Sequence, residues 1–462
     1  MLLRVKNLGP VREAELDLGK PLIVLTGPNN SGKTYLAWAA YSLSRLDPEL
    51  VALPPTLIDW ANRLLAVPNR ALDLKSLFEC RDSVFQAMAD AVKKHLSRDF
   101  AAPQERFEDT GFELCSTLEK EERFFARKGQ LAGKNTGQHE ISLDVRDGNV
   151  RLLVEKHQLQ GDGSEHDHDS GPRADDIAQL AKLVLMLHFS ERRYAAFPVE
   201  RLAINLFARE LAAKSRELVD EILNDETSAS SPPMLLQEKL RQNAGRYPRA
   251  IHDAIQRAIR GPKMVELPRF AHLAEELETS VLAGSVKLDT YGNPTFLPRQ
   301  NARNTSLGLH ESASVVKSLV SLVLYLRHEA QPGQRLVIDE PELNLHPDNQ
   351  RLVARILAKA VNRGLKIMMS THSDYVIREL NNLLMLGQGN PDKARTLVQE
   401  LGYQPEQILR KDQIAAYLVN DGACTLLEVT ETGFETKTIE DEIHKLNQDS
   451  QTIYFRLSED ED

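Results

Sequence analysis

Apolar residues near the start of the chain fall into short alternating or continuous runs, then into helical spacing. Leu2, Leu3 and Val5, followed by Glu13 to Leu18, predict a small N-terminal sheet, and Pro21 to Leu25 reads as a fully buried strand. The turn-rich stretch 26–34 follows, and Leu36, Ala39, Ala40 and Leu43 then recur on one helical face. The order is strand, loop, helix. From about 48 to 135 the pattern is mostly helical, broken at Pro54, Pro55 and Pro68, and too irregular for a long coiled coil. Ile141, Leu143 and Val145 alternate up to Asp147-Gly148, and Val150, Leu152 and Val154 resume the alternation, which predicts a β-hairpin.

The polar stretch 161–176 is the clearest flexible loop, and 177–187 returns to helical spacing. A strand is expected over 194–200, then a second helical arm over about 202–282. Toward the other end, a strong helix over 312–327 leads to an apolar strand at 335–339. A helix over 348–363 leads through Gly364 to a strand at 366–370. This is the β-α-β rhythm of a parallel sheet. Strand-like runs at 414–419 and 425–429, a charged helix near 439–446 and a frayed acidic end at 459–462 complete the pattern.

Composition narrows the options. With 57 Lys and Arg against 67 Asp and Glu, the 462-residue chain carries a net charge of −10, which excludes a generally basic nucleic-acid coat but not a local basic groove. The length suggests about three domains, and 42% hydrophobic residues suffice for real cores. No run approaches the ~20 apolar residues of a membrane span, so a cytoplasmic protein is expected. Cys80, Cys115 and Cys424 are too scattered for a zinc or redox pair.

Three segments carry chemistry. Gly27-Pro28-Asn29-Asn30-Ser31-Gly32-Lys33-Thr34 fits G-x-x-x-x-G-K-[ST] between a predicted strand and a predicted helix. Such a loop surrounds phosphate oxygens with backbone N–H groups, Lys33 reaches the β/γ-phosphates, and the Thr34 hydroxyl takes a Mg²⁺ position. Leu336-Val337-Ile338-Asp339-Glu340 is an apolar strand ending in two acids: Asp339 suits Mg²⁺, and Glu340 can polarise an attacking water. At the end of the strand Met368-Met369-Ser370, His372 can hydrogen-bond a γ-phosphate or its attacking water.

Together these segments resemble ABC-type ATPases of the branch that holds structural-maintenance, Rad50-like and overcoming-lysogenization-defect (OLD) proteins. Gly27–Thr34 corresponds to Walker A, Leu336–Glu340 to Walker B with the catalytic glutamate, and His372 to the switch histidine. The run Asp339-Glu340-Pro341-Glu342-Leu343-Asn344-Leu345-His346-Pro347 is similar to the D-E-P-E-x-x-L-H-P stretch of OLD-like members, and Phe197-Pro198-Val199-Glu200-Arg201 looks like a P-x-E-R strand of the same branch. The resemblance implies an α/β fold: an ABC-type P-loop ATPase head with a mixed sheet core, an N-terminal antiparallel β subdomain and a large helical insertion. Residues 1–47 and 301–400 would form the head, 48–300 the insertion with its arms and hairpin, and 401–462 a C-terminal α/β extension.

The family's signature segment completes the nucleotide site of an opposite subunit from a helix start. Ser312 and Ser314, which the sequence puts at the cap of a helix, are preferred for this nucleotide-binding role over Ser306-Leu307-Gly308. The resemblance further implies ATP and Mg²⁺, and self-association as a head-to-tail dimer or higher homo-oligomer. No Toprim-type D-x-D follows His372, so an effector is expected in trans. Among known groups, the chain looks most like the ATPase subunit of a PARIS-type antiphage system. That implies a sensor and scaffold holding a separate Toprim-like nuclease and answering a phage trigger protein. Two alternatives stay open: a Rad50- or RecF-like repair ATPase that binds DNA through the basic window 238–263, and a nucleotide-gated scaffold with little hydrolysis. In that window, Lys239, Arg241, Arg246, Arg249, Arg257, Arg260 and Lys263 face only Glu238 and Asp253; a solvated helix face is the plainer reading. His166 and His168, among Glu165, Asp167 and Asp169, read as loop rather than metal site.

Overall fold

The computed structural model describes residues 1–135, 139–156, 172–189, 194–208, 210, 247–300 and 305–458. The stretch 165–169, the part of the basic window before 247 and the acidic end 459–462 lie outside the described residues. In chain order the first elements are β1 (Leu2–Leu8), β2 (Val11–Asp17), β3 (Leu22–Thr26), α1 (Lys33–Ser44), α2 (Pro55–Ala66), β4 (Ala71–Asp73), α3 (Leu74–Phe78), α4 (Arg81–Asp99), β5 (Gly111–Cys115) and α5 (Leu118–Phe125). Next come β6 (Gly129–Asn135), β7 (His139–Arg146), β8 (Asn149–Lys156), α6 (Ala174–Phe189), β9 (Tyr194–Phe197), α7 (Arg249–Arg260), α8 (Ala271–Leu277), β10 (Gly284–Leu288), β11 (Pro294–Pro298) and β12 (Leu307–Gly308). The last are α9 (Ser314–His328), β13 (Arg335–Asp339), α10 (Pro347–Asn362), β14 (Lys366–Ser370), α11 (Asp374–Gln388), α12 (Pro391–Glu400), β15 (Ile414–Asn420), β16 (Ala423–Leu426) and α13 (Lys437–Ser458).

Nine strands form one mixed sheet in the order β5-β1-β2-β16-β15-β3-β14-β13-β9. From β15 to β9 all pairings are parallel. At the other edge β1 runs antiparallel to β2 and to β5. β16 turns back from β15 and lies parallel to β2, so the N-terminal antiparallel ribbon is joined to the parallel part by strands from residues 414–426. That segment, read in the sequence as part of an extension, thus lies in the middle of the head's sheet.

Period-2 alternation divides the buried strand residues between two cores. Ile23, Leu25, Val337, Met368, Tyr417 and Val419 share one with Leu36, Trp60, Phe85 and Val184. Leu22, Val24, Leu336, Ile338, Ile367 and Met369 share the other with Leu273, Leu319, Leu357 and Leu380. Helices α2, α4 and α6, from the region expected to be an insertion, therefore pack on the sheet's own core. α7 is held there too: Tyr41 donates to Asp253 at 2.7 Å, and Arg249 pairs with buried Asp99 at 3.2 Å. β7 and β8 pair around Asp147-Gly148, both at positive φ (51° and 75°), the conformation a tight hairpin turn requires.

Register decides where the site forms. Leu25 of β3 pairs with Ser370 of β14, and Ser370 pairs with Asp339 of β13. Three neighbouring parallel strands therefore end level, and the loops leaving them meet at one edge. Ligand sites in α/β sheets lie outside such carboxyl ends.

Candidate active site

The phosphate loop leaves β3, whose five residues are all buried. Gly27 (φ 133°) and Gly32 (φ 106°) take backbone conformations that a side chain resists, and Gly32 is the N-cap of α1. No side chain caps α1. Its first amides are thus open to an anion, as a phosphate-binding helix start requires. Lys33 is buried, and its Nζ donates to the carbonyls of Gly27 (3.0 Å) and Pro28 (2.6 Å). Burial lowers the Lys33 pKa, while Glu340, Asp339 and Glu342 oppose that shift. Those interactions put the ammonium within the field of the acidic strand end.

Asp339 closes the fully buried β13 and accepts a hydrogen bond from Ser370 Oγ at 2.9 Å. Burial pushes its carboxyl up to about 6, with the Ser370 bond opposing. Glu340 then leaves the strand at φ 46°, a left-handed conformation that costs a non-glycine residue roughly 1–2 kcal/mol. Its N–H donates to Ser370 O at 3.0 Å, and its carboxylate, about one-third exposed, lies 3.9 Å from His372 Nε2. Burial and then Lys33 lower the His372 pKa, with Glu340 opposing, which favours the neutral imidazole. The three segments singled out in the sequence are thereby brought together.

Two residues that tie this set together were read in the sequence only as parts of family-like runs. Glu342 is half-buried, and one oxygen accepts from Thr371 Oγ1 at 2.7 Å and from the His372 amide at 2.9 Å. It links the turn after β13 to the turn after β14, and burial raises its pKa. Arg201 is 2% exposed, and its guanidinium donates to the carbonyls of Asp339 (2.6 Å), Glu340 (2.5 Å), Ser318 (3.1 Å) and Pro198 (3.4 Å). The legible signal was an arginine directly after a short apolar strand, at Phe197-Pro198-Val199-Glu200-Arg201.

Ser312 and Ser314 do not cap the following helix as expected. The N-cap of α9 is Ala313, without a side-chain hydrogen bond. A 3₁₀ turn over 309–311 precedes it, so buried Ser312 turns its Oγ back to the Gly308 carbonyl at 2.9 Å, while Ser314 is exposed as the first helical residue. Neither serine side chain hydrogen-bonds to the phosphate loop, Asp339, Glu340 or His372. In the described part of the basic window, Arg249 is paired with Asp99. Arg257 pairs with Glu329 at 3.5 Å and donates to Ala196 O at 3.3 Å; Arg260 and Lys263 are exposed.

The donor set fits Mg²⁺. This ion favours hard oxygen ligands and binds through one or two protein groups plus substrate phosphates, and Thr34 and Asp339 offer a hydroxyl and a carboxylate. Among the described residues no group of three or more His, Cys, Asp or Glu side chains forms a separate metal cage.

Residues 205–377 match a family model described as an AAA ATPase domain. This span contains the Asp339-Glu340 strand end and His372 and begins beyond the phosphate loop. No curated protein matches the chain. Among solved structures, it is similar to an Smc head bound to the C-winged helix domain of ScpA, at 11% identity and a TM-score of 0.34, covering 92% of this chain and 96% of that one. An Smc head domain with an extended coiled coil, bound to the C-terminal domain of ScpA from Pyrococcus furiosus, gives 10% identity and a TM-score of 0.31 over 97% and 98%. The SMC head domain from Thermotoga maritima gives 11% and 0.29 over 93% and 98%. With the phosphate loop, the acidic strand end and the histidine assembled at one sheet edge, and with the domain match across the last two, the chain is an ATPase with an α/β head.

Proposed function

We propose that the chain hydrolyses ATP in a Mg²⁺-dependent reaction and uses its nucleotide state to control a separate effector. The observation that carries the reaction is the meeting of Glu340 and His372, 3.9 Å apart, beside the strand that delivers the phosphate loop. The α1 amides and Lys33 hold the phosphates, with the lysine released from the Gly27 and Pro28 carbonyls to do so. Glu340 orients and polarises the attacking water, and neutral His372 hydrogen-bonds that water or the γ-phosphate without serving as the base. Mg²⁺, held by Thr34 and Asp339, would neutralise charge on the phosphate oxygens. Ser312 and Ser314 remain the proposed contribution to a second subunit's nucleotide.

The scaffold role is supported by α13. On this 22-residue helix Leu446 is 66% exposed, Ile453 59%, Phe455 61% and Leu457 72%. Exposed apolar side chains clustered on one element mark a surface for association. The effector we propose is a nuclease acting in antiviral defence, with the chain as its oligomeric sensor. The repair reading has less support, since Arg249 and Arg257 are engaged within the head.

Two experiments test this. Glu340→Gln should lower turnover by at least about 100-fold while ATP still binds; turnover at the wild-type rate removes the catalytic assignment. Native mass measurement of the co-purified complex, with and without ATP, should find an oligomer carrying a second polypeptide. A bare nucleotide-dependent dimer would instead favour the repair reading.

A further inference from the structure

Arg201 reaches the active site only through main-chain carbonyls. Its side chain makes no hydrogen bond to the side chains of Lys33, Thr34, Asp339, Glu340 or His372. All three of its nitrogens are used: Nε donates to Ser318 O on α9, Nη1 to Asp339 O and Pro198 O, and Nη2 to Glu340 O. Two successive carbonyls, one at the end of β13 and the next beyond it, are thus gripped by one planar fork.

The reason for that grip lies at Glu340. Its φ of 46° turns the chain out of the strand direction. Pro341 follows it, and a following proline disfavours the right-handed helical region and pushes the residue before it toward extended backbone, so the left-handed turn has to be held by contacts from outside the segment. The extended alternative would continue the strand. The peptide before Glu340 Cα is fixed by the bond from Glu340 N to Ser370 O, and the peptide after it by the bond from Arg201 to Glu340 O. With both planes held, the direction of the Cα–Cβ bond is set, and the carboxylate is delivered toward His372.

We propose that Arg201 is the positioning residue for the catalytic glutamate: its guanidinium holds the Asp339 and Glu340 carbonyls so that Glu340 stays in the left-handed turn that aims its carboxylate at the attacking water. This rests on the assignment of Glu340 as the group that activates water. An arginine is required because a lysine ammonium is a point donor on a flexible stem and cannot span two successive carbonyls in one plane. The same guanidinium ties the turn to α9 through Ser318, so a shift of α9 would be felt at Glu340.

The test uses the full-length protein, with Arg201→Lys and Arg201→Gln each alone and combined with Glu340→Gln. Four quantities are read: ATP affinity, KM, kcat and the melting curve. For either Arg201 variant the expected result is a kcat about 10- to 100-fold lower, with ATP affinity and KM within about threefold of wild type and a cooperative melt retained. In the Glu340→Gln background the same change should lower the residual rate by less than about twofold, because Arg201 acts through the group already removed. If Glu340→Gln is inactive while both Arg201 variants keep wild-type kcat, the positioning role is wrong and the catalytic reading stands. If Glu340→Gln turns over normally, the catalytic reading itself fails. Equal losses in the wild-type and Glu340→Gln backgrounds would overturn the proposal by making Arg201 independent of Glu340. Loss of the cooperative melt in both variants would also overturn it, since Arg201 would then be a packing residue of the head.

Discussion

A Cβ placed on Gly27 would lie 2.1 Å from the carbonyl oxygen of Val419. The first glycine of the phosphate loop is therefore seated against the main chain of β15, a strand reached almost four hundred residues later. Gly27→Ala must strain its φ of 133° and also displace β15. We expect it to cost at least about 2 kcal/mol of stability and to weaken ATP binding. Denaturant unfolding and nucleotide titration check this; unchanged values for both would mean that the loop and β15 are not coupled.

Removing residues from 405 onward deletes β15 and β16, and with them the strands between β3 and β2. The remaining chain would expose the edge of the central strand and lose Tyr417 and Val419 from the core. It should show no cooperative thermal transition. A soluble truncated protein with a sharp melt would show that the head does not need these strands.

Glu342→Ala removes the acceptor of both the Thr371 hydroxyl and the His372 amide, which are 2.7 and 2.9 Å away. The expected outcome is a loss of about 1–3 kcal/mol, from the unsatisfied donors, and at least a tenfold fall in kcat as His372 loses its placement. Kinetics beside a melting curve separates the two effects. Wild-type kcat at reduced stability would confine Glu342 to a structural role.

His188 is 8% exposed, donates from Nε2 to Lys120 O at 2.8 Å, and packs edge-on against Phe124 and Phe189. Burial lowers its pKa to about 4; the bond to Lys120 opposes the shift, and Arg127, Lys120 and Arg123 reinforce it. Below the unfolded value near 6.5 the unfolded chain takes up a proton that the folded chain refuses until about 4. Stability should therefore fall as pH drops from about 6.5 to 4, by at most about 3 kcal/mol from this group, and be unaffected by it above that range. Melting curves of wild type and His188→Gln across the interval should converge at low pH. A constant difference between them would remove His188 as the source.

Much of the site was legible because its chemistry is carried by contiguous segments. Gly27 to Thr34 needs only its own backbone and a strand and helix on either side, and an apolar strand ending in Asp339-Glu340 announces itself by burial followed by charge. The hairpin around Asp147-Gly148 was legible for the same reason: two positive-φ residues between alternating runs are a local signal. The cap of α9 was misread because the 3₁₀ turn at 309–311 changes which residue stands at the helix start, and a serine-rich run does not reveal that turn.

The rest was decided by contacts between residues far apart in the chain. Nothing near Ile414 says that it will pair with Leu22, and nothing near Arg201 says that its partners are the carbonyls of Asp339 and Glu340. A carbonyl has no residue type, so a side chain that works by gripping main chain leaves no complementary letter to read. The sequence by itself determined which groups do the chemistry and on which strand ends they stand. Only the packed sheet decided that β3, β14 and β13 end level, that α2, α4 and α6 close its core, and which way Glu340 faces. Those outcomes depend on register and burial across the whole head, which no local window contains.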